Sequence, residues 1–343
     1  MLYNKSVLLI APCFHDYHDR IVQALEVRGA SVVFFPERDY SIWFKLVNNL
    51  ANRWLDALQA AHYQNILKKI AGRRFDYLFV VRGYKITPEF ISGFRDLNPG
   101  ATTLMYQWDS NKTNPYAAVL PFFDRAYSFD FHDCDELGLQ YVPLFYTDDI
   151  IRMRESFPQQ CPYDFFFMGT YIPERYKALV QFKEYLNNLK NFTLKSYIYV
   201  PWTRLLKLRL KGIRLDPSIV TTRHLPRTEY LDMLSQSKVV VDVSNRFQTG
   251  LAMRVIEALA MHKKILTDNP HITREPFFQS GNICLFDAAH PSFPPEWVDR
   301  PFNRSVALLS IGEWIDRIWT DRTHFATGLH SPNPHEGQAI GVL

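Results

Sequence analysis

Glycine is scarce in this chain, at 14 residues of 343, about 4% against a usual ~7%. No two glycines stand closer than four positions. That removes the G-x-G-x-x-G dinucleotide loop, and the P-loop pattern is absent as well. Cysteine is scarcer still. Cys13, Cys134, Cys161 and Cys284 lie far apart and form no C-x-x-C. They read as free thiols of a reducing cytoplasm, with no structural zinc site. No stretch approaches the ~20 apolar residues of a spanning helix. The opening MLYNKSVLLIAP reads as a first strand, because it lacks the apolar core and cleavage site of a secretory signal. Excess charge is small, 39 basic against 35 acidic residues for a net +4. A dedicated nucleic-acid binder shows a pI above ~9 and clustered basic residues, so no nucleic-acid partner is expected. What is plentiful is apolar: 47% of residues are hydrophobic and 15% aromatic. At ~150 residues per domain the length gives about two domains, each able to bury a core.

Strand and helix periods alternate from the start. Residues 6–12 (SVLLIAP), 31–35, 76–81, 102–108, 125–129 and 141–145 read as strands. Helical spacing covers 16–28, 42–70 (through Trp43, Leu46, Leu50, Trp54 and Leu58) and 88–97. A polar stretch at 153–163 with two prolines and two glutamines reads as a linker. The pattern then restarts, with strands at 163–168, 193–200, 238–243, 264–267 and 282–286. Helices are expected at 173–189, 251–261 and 311–322, and a frayed tail from 331. Alternation of this kind predicts parallel, doubly wound sheets. The expected division is 1–155, 156–305, a C-terminal helix within 306–330 that packs back toward the first domain, and a tail at 331–343.

Ligands of such sheets bind outside the C-terminal strand ends, and two facing domains make a cleft. After the first strand, CFHDYHD supplies His15, Asp16, His18 and Asp19, proton-transfer groups on a rigid support; the other reading is that Asp16 or Asp19 caps the next helix. Asp109 follows a buried strand and precedes a loop at Asn114–Pro115, which places it in the cleft. Asp133 and Asp135 form a D-x-D suited to Mg²⁺ or Mn²⁺, but they open a short helix and read better as capping. In the second half Gly169 follows a strand, with Arg175 and Lys177 at the next helix start, a phosphate-site pattern. Phe14, Tyr17, Tyr84, Tyr106 and Trp108 are aromatics expected near the cleft, to stack on a sugar or base.

The richest stretch is VVVDVSNRFQTGLAMRVIEALAMHKKILTDN, residues 239–269. A strand leads through a polar loop with Arg246, Gln248, Thr249 and Gly250 into a helix with Arg254 and Glu257. A carboxylate there can accept both ribose hydroxyls, and the helix-start amides can hold a diphosphate. The plainer reading pairs Glu257 with Arg254 on a solvated face.

These residues resemble the C-terminal domain of GT-B glycosyltransferases. Q-x-G-x-x-x-R-x-x-E, at Gln248, Gly250, Arg254 and Glu257, is similar to the CgeB-like and lipopolysaccharide or capsular polysaccharide glycosyltransferases. HLPRTEYLDMLSQSKVVVDVS before it and YQWDSN at 106–111 are similar too. In residues the likeness is firm over 221–269. It implies two Rossmann-like domains facing a central cleft. By the family's pattern Gly169 and Arg175 lie near the donor phosphates, Glu257 at the ribose, and residues 13–19 near the acceptor. It also implies that no metal or other cofactor is needed. The residue eight before Glu257 is Thr249, so the E-x7-E pattern of the retaining group is missing and the stereochemical outcome stays open.

The reading implied is a cytoplasmic glycosyltransferase moving a sugar from a nucleotide-sugar donor to a glycan or lipid-linked acceptor in bacterial surface polysaccharide assembly. Lys177, Arg246 and Thr249 join the donor-site candidates; His15, Asp16 and Asp109 are the candidate bases. A non-catalytic nucleotide-sugar binder and a nucleotide-sugar epimerase of the same shape are the alternatives. Loss of Glu257 is expected to weaken donor binding with the fold intact. Finally, WTRLLKLRLKGIR at 202–214 has five basic residues and no acid. It reads either as a basic amphipathic helix for the inner membrane surface or as an ordinary packed helix.

Overall fold

The computed structural model describes residues 2–39, 54–156 and 161–320. The first half builds a parallel sheet of β1 (Ser6–Ala11), β2 (Ser31–Pro36), β3 (Tyr77–Val81), β4 (Thr102–Gln107), β5 (Arg125–Ser128) and β6 (Gln140–Tyr141). Strand order is β2-β1-β3-β4-β5-β6. The second half repeats the plan with β8 (Tyr163–Thr170), β9 (Leu194–Tyr199), β10 (Val220–Thr221), β11 (Ser237–Asp242), β12 (Lys264–Thr267) and β13 (Ile283–Leu285). Its order is β10-β9-β8-β11-β12-β13. Strand order therefore reverses between β1 and β3 and again between β8 and β11, and a crevice opens at each switch.

Continuous apolar runs make these strands because both faces are covered. On β1, Val7 and Leu9 join the core that runs through both halves, while Leu8 and Ile10 join a separate core under α2 (Leu55–Ile70) and α3 (Pro88–Leu97). On β11, Val240 faces the shared core and Val239 and Val241 face a third, under α6 (Pro173–Leu189). α1 is Tyr17–Glu26, α4 Phe131–Leu137, α5 Asp148–Ser156, α7 Trp202–Leu210, α8 Arg227–Ser235, α9 Met253–Ala260 and α10 Ile311–Thr320. Trp314 of α10 is fully buried between Tyr106 and Phe145, at ring separations of 4.8 and 4.5 Å. Arg28 of the first half also binds Asp316 on α10, at 2.6 Å.

Two sequence readings change. The single strand expected at 141–145 is split: β6 pairs with β5, and β7 (Phe145–Tyr146) pairs with β14 (Leu309–Ser310). Pro143 between them has no N–H for a ladder. The polar linker starts inside α5, whose two leading aspartates and late Arg154 suit the helix dipole. Of the 42–70 helix, Trp43, Leu46 and Leu50 lie outside the described residues, as does the tail from 331. No helix among the described residues is long and apolar enough to cross a membrane.

Candidate functional site

One cavity of about 380 Å³ lies where the two switch points face each other, within the range that holds small ligands. The first half lines it with residues after β1 (Phe14, His15, Tyr17), β3 (Arg82) and β4 (Trp108, Asp109). The second half lines it from the end of β8 (Met168, Gly169, Thr170), from β9 (Tyr197, Tyr199) and from the starts of three helices.

Those three helix starts each carry an arginine into the cavity: Arg175 on α6, Arg227 on α8 and Arg254 on α9. No side chain caps any of the three helices. Free amides and a positive dipole end already favour an anion there. A cation in a first turn opposes that dipole, so its presence needs a local reason. Arg254 has one, donating to Asp242 at 2.7 Å. Arg175 donates only to backbone, Thr170 O at 2.9 Å and Val243 O at 3.3 Å. Burial, and then the Arg254 charge, bring its pKa down to about 10. Both guanidinium groups lie by the Phe167 ring, at 6.0 and 5.4 Å from its centre. An added anion would relieve their repulsion. At Gly169 a Cβ would come 3.1 Å from Phe167 and 3.4 Å from Arg175 Nη1, so the missing side chain keeps this approach open.

Glu257 is 2% exposed and does not pair with Arg254. Its Oε1 accepts from Tyr17 Oη at 2.5 Å and Arg227 Nη1 at 2.9 Å, and its Oε2 from Tyr230 Oη at 2.8 Å. Three of the carboxylate's about four acceptor positions are thus filled, which leaves one for a further donor rather than two. Arg227 carries the network on to Asp149 Oδ2 at 2.8 Å and Thr147 Oγ1 at 2.8 Å. Burial opposes the charge on Arg227, yet Glu257, Tyr17 and Asp149 raise its pKa. Burial, then Glu257, push the Tyr17 and Tyr230 hydroxyls well above the ordinary tyrosine value, so both stay protonated as donors. Tyr17 belongs to the first half, so this network also ties the halves together.

The first-half wall is different. Arg82 binds the buried Glu37 and, at 3.2 Å, Asp109. Burial raises the Asp109 pKa against the pull of Arg82. His15 sits at φ +40°, a backbone region disfavoured for any side chain. Its ring lies 5.7 Å from that of His224 across the cavity. Burial, then His224 and Arg227, lower its pKa. A neutral imidazole that resists protonation can take a proton from a hydroxyl.

Other sequence candidates lie elsewhere. Asp16 stands at the N-cap position of α1 without capping it; it binds Arg20 at 3.0 Å and lies 3.4 Å from Arg227 Nε, behind the cavity lining. Lys177 and Arg246 are exposed off the cavity, Arg246 over the Phe247 ring. Gln248 lines it, but the Thr249 and Gly250 amides do not await a phosphate. Asp130 of the first half accepts from both, at 2.6 and 3.0 Å, and from Thr249 Oγ1 at 2.7 Å. A Cβ on Gly250 would meet Phe129 O at 2.5 Å, so this glycine serves close packing of the halves. Asp130, not the D-x-D, caps α4. Asp133 accepts from Asn111 N and Tyr116 Oη, and Asp135 pairs with Arg274. Among the described residues no three His, Cys, Asp or Glu side chains group as metal ligands. Tyr84 and Tyr106 do not line the cavity; Tyr106 is in the core, donating to Val142 O.

Sequence reasoning missed Arg227, Tyr230, Tyr197, Tyr199 and His224. One signal for Arg227 was available: an arginine directly after Pro226, at a helix start, where an acid is expected.

No model of a known protein family matches the sequence, and no curated protein does. Solved structures do match. An α,α-trehalose-phosphate synthase (UDP-forming) from Burkholderia xenovorans, in complex with glucose-6-phosphate, aligns over 92% of this chain and 99% of its own, with TM-score 0.59 and 10% identity. An alpha-glucosyltransferase in complex with UDP and a 13-mer DNA aligns over 83% and 87%, with TM-score 0.53 and 13% identity. A UDP-GlcNAc 2-epimerase from Methanocaldococcus jannaschii aligns over 92% and 99%, with TM-score 0.52 and 12% identity. At such identity the likeness concerns architecture. Two parallel sheets facing one cleft, with these neighbours, give the chain a GT-B glycosyltransferase-like fold of two Rossmann-like domains.

Proposed function

We propose that the protein is a glycosyltransferase that moves a sugar from a nucleoside-diphosphate sugar to a glycan or lipid-linked acceptor, in assembly of a bacterial surface polysaccharide. The observation that carries this reading is the convergence of three uncapped helix starts, each with an arginine, on one cavity. That arrangement suits a diphosphate leaving group. Arg175 and Arg254 neutralise it, Gly169 lets it approach, and Glu257 takes one ribose hydroxyl. Tyr197 and Tyr199 offer faces to the base or sugar. We assign 1–155 to the acceptor side, 156–305 to the donor side, and the helix after 306 to a return onto the first domain.

Chemistry follows from the opposite wall. If the sugar inverts, His15 or Asp109 deprotonates the acceptor hydroxyl as the new bond forms and the diphosphate leaves. If configuration is retained, no base on that face is required. The arginines and helix dipoles supply the charge that a metal would otherwise bring.

The test is a thermal-shift screen against a panel of sugar nucleotides, since a ligand of the native state raises stability by mass action. A donor that stabilises the chain should also release its nucleoside diphosphate when acceptor is added. No shift with any donor would sink the reading. The second reading, an epimerase, is favoured by the fold shared with the M. jannaschii enzyme. It predicts a change of sugar configuration by NMR with no acceptor present. Donor binding without either change would leave a non-catalytic binder.

A further inference from the structure

α7 is unlike every other helix of the second half: none of its residues is buried. Trp202, Leu206 and Leu210 are 69, 50 and 79% exposed, and Ile213 just beyond is 43% exposed. At about 100° per residue the first three fall on one stripe about 80° wide. Lys207 flanks that stripe on one side and Arg209 on the other, with Lys211 and Arg214 following. The helix is held by its opposite face, where Leu205 and Leu208 pack on the second-half core. Arg204 fixes its first turn by donating to Tyr171 O at 3.3 Å and lying over the Tyr171 ring. Lys207, Arg209, Lys211 and Arg214 make no ion pair among the described residues. Arg209 and Arg214 also flank a groove of about 690 Å³ against β10 that no carboxylate lines.

An outward apolar stripe costs hydration, and free cations on both flanks repel a basic partner. Together they match a surface that is apolar below and negative above. We infer that α7 and residues 211–214 dock the protein on an anionic lipid bilayer, the stripe entering the headgroup boundary and the arginines and lysines meeting lipid phosphates. A nucleic acid would satisfy the cations and leave Trp202, Leu206 and Leu210 in water, so lipid fits better. The helix starts three residues after Tyr199, which lines the cavity. Docking thus brings the cleft near the membrane surface, where a lipid-linked acceptor would be found. Docking itself stands apart from the glycosyl-transfer reading; only the acceptor's placement rests on it.

The experiment is co-sedimentation of the full chain with phosphatidylcholine vesicles, with and without about 30% phosphatidylglycerol. The wild-type chain should pellet with the anionic vesicles, and high salt should release part of it. Leu206→Glu/Leu210→Glu should lose at least about tenfold in vesicle affinity. Lys207→Ala/Arg209→Ala should lose about fivefold per charge. Both variants should melt like wild type, because the altered side chains are exposed. Wild type left in the supernatant, or variants that pellet like wild type, would overturn the inference. So would a wild-type dimer split by Leu210→Glu without vesicles, or a DNA duplex that displaces the chain from them. Donor titration by calorimetry without vesicles tests the glycosyl-transfer reading separately.

Discussion

On the first-half wall of the cleft Arg82 is neutralised twice, by Glu37 and by Asp109. On the second-half wall Arg175 hydrogen-bonds only backbone carbonyls, with Arg254 as a like-charged neighbour and the Asp242 and Asp268 carboxylates close by. The same plan of parallel strands and crossover helices supports both walls. The difference lies in which residues the helix starts present. A wall with its charges already paired is suited to proton transfer at a set geometry. A wall with one buried guanidinium that no carboxylate hydrogen-bonds is suited to holding an anion.

The largest effect should come from the residue both walls share. Glu257→Ala removes the acceptor of Tyr17, Tyr230 and Arg227 together and leaves a buried guanidinium with one carboxylate fewer. Breaking such a pair costs about 3–5 kcal/mol, partly offset here because Arg227 keeps Asp149. The variant should melt well below wild type and bind donor weakly. This revises the expectation of weaker binding with the fold intact. A wild-type melting temperature would show that the seam does not depend on Glu257.

Next comes the first wall alone. If His15 is the base, His15→Asn should lower kcat by about 10²-fold and leave donor affinity unchanged. The pH profile gives the sign. His15 has its pKa lowered by burial and by His224 and Arg227. Its basic form therefore persists below the ordinary value of ~6.5, and activity should fall only as pH drops through the lowered value. Stability moves the same way: below ~6.5 the unfolded chain takes a proton that the folded site refuses, so stability is lost as pH falls. An acid limb at or above 6.5, or one unchanged in His15→Asn, would point to Asp109 or to retention.

The second wall alone should give a smaller, purely binding effect. Arg175→Met should weaken donor binding by about tenfold, or about 1.5 kcal/mol for a charge-assisted hydrogen bond, because Arg254 remains. Calorimetry with the nucleoside diphosphate reads this directly. An unchanged affinity would move the anion site away from α6.

Much of the fold was legible because it depends on local period. Apolar runs marked β1 and β11, and the helix over 173–189 was bounded by Pro173 and by the last apolar turn. The cavity was legible as a place, since strand ends set it. Its wiring was not. Tyr17 meets Glu257 across 240 positions, and Asp130 meets Gly250 across 120; no spacing rule encodes either. Seen alone, Thr249 and Gly250 look like free amides before a helix. Only the facing half reveals that a carboxylate already fills the place of a phosphate. Arg227 was hidden for the same reason, since its partners Asp149, Glu257 and Tyr17 come from three separate segments.

The smallest effect should be that of a chelator. The D-x-D carboxylates are committed: Asp133 accepts from Asn111 N at 2.7 Å and Tyr116 Oη at 2.6 Å, and Asp135 binds Arg274 at 2.8 Å. Burial raises the Asp133 pKa, whereas Arg274 lowers that of Asp135, so the two are not electrostatically equivalent, as a symmetric cation clamp would favour. On the second wall, arginines and helix starts already oppose the charge of a diphosphate. EDTA should therefore leave turnover and donor affinity unchanged. Loss of turnover restored by Mn²⁺ would mean that the donor arrives with a cation, and that Asp133 or Asp135 gives up its present partner to hold it. Asp135→Asn separates the cases: it should leave an arginine-based site untouched and abolish any Mn²⁺ rescue that depends on the D-x-D.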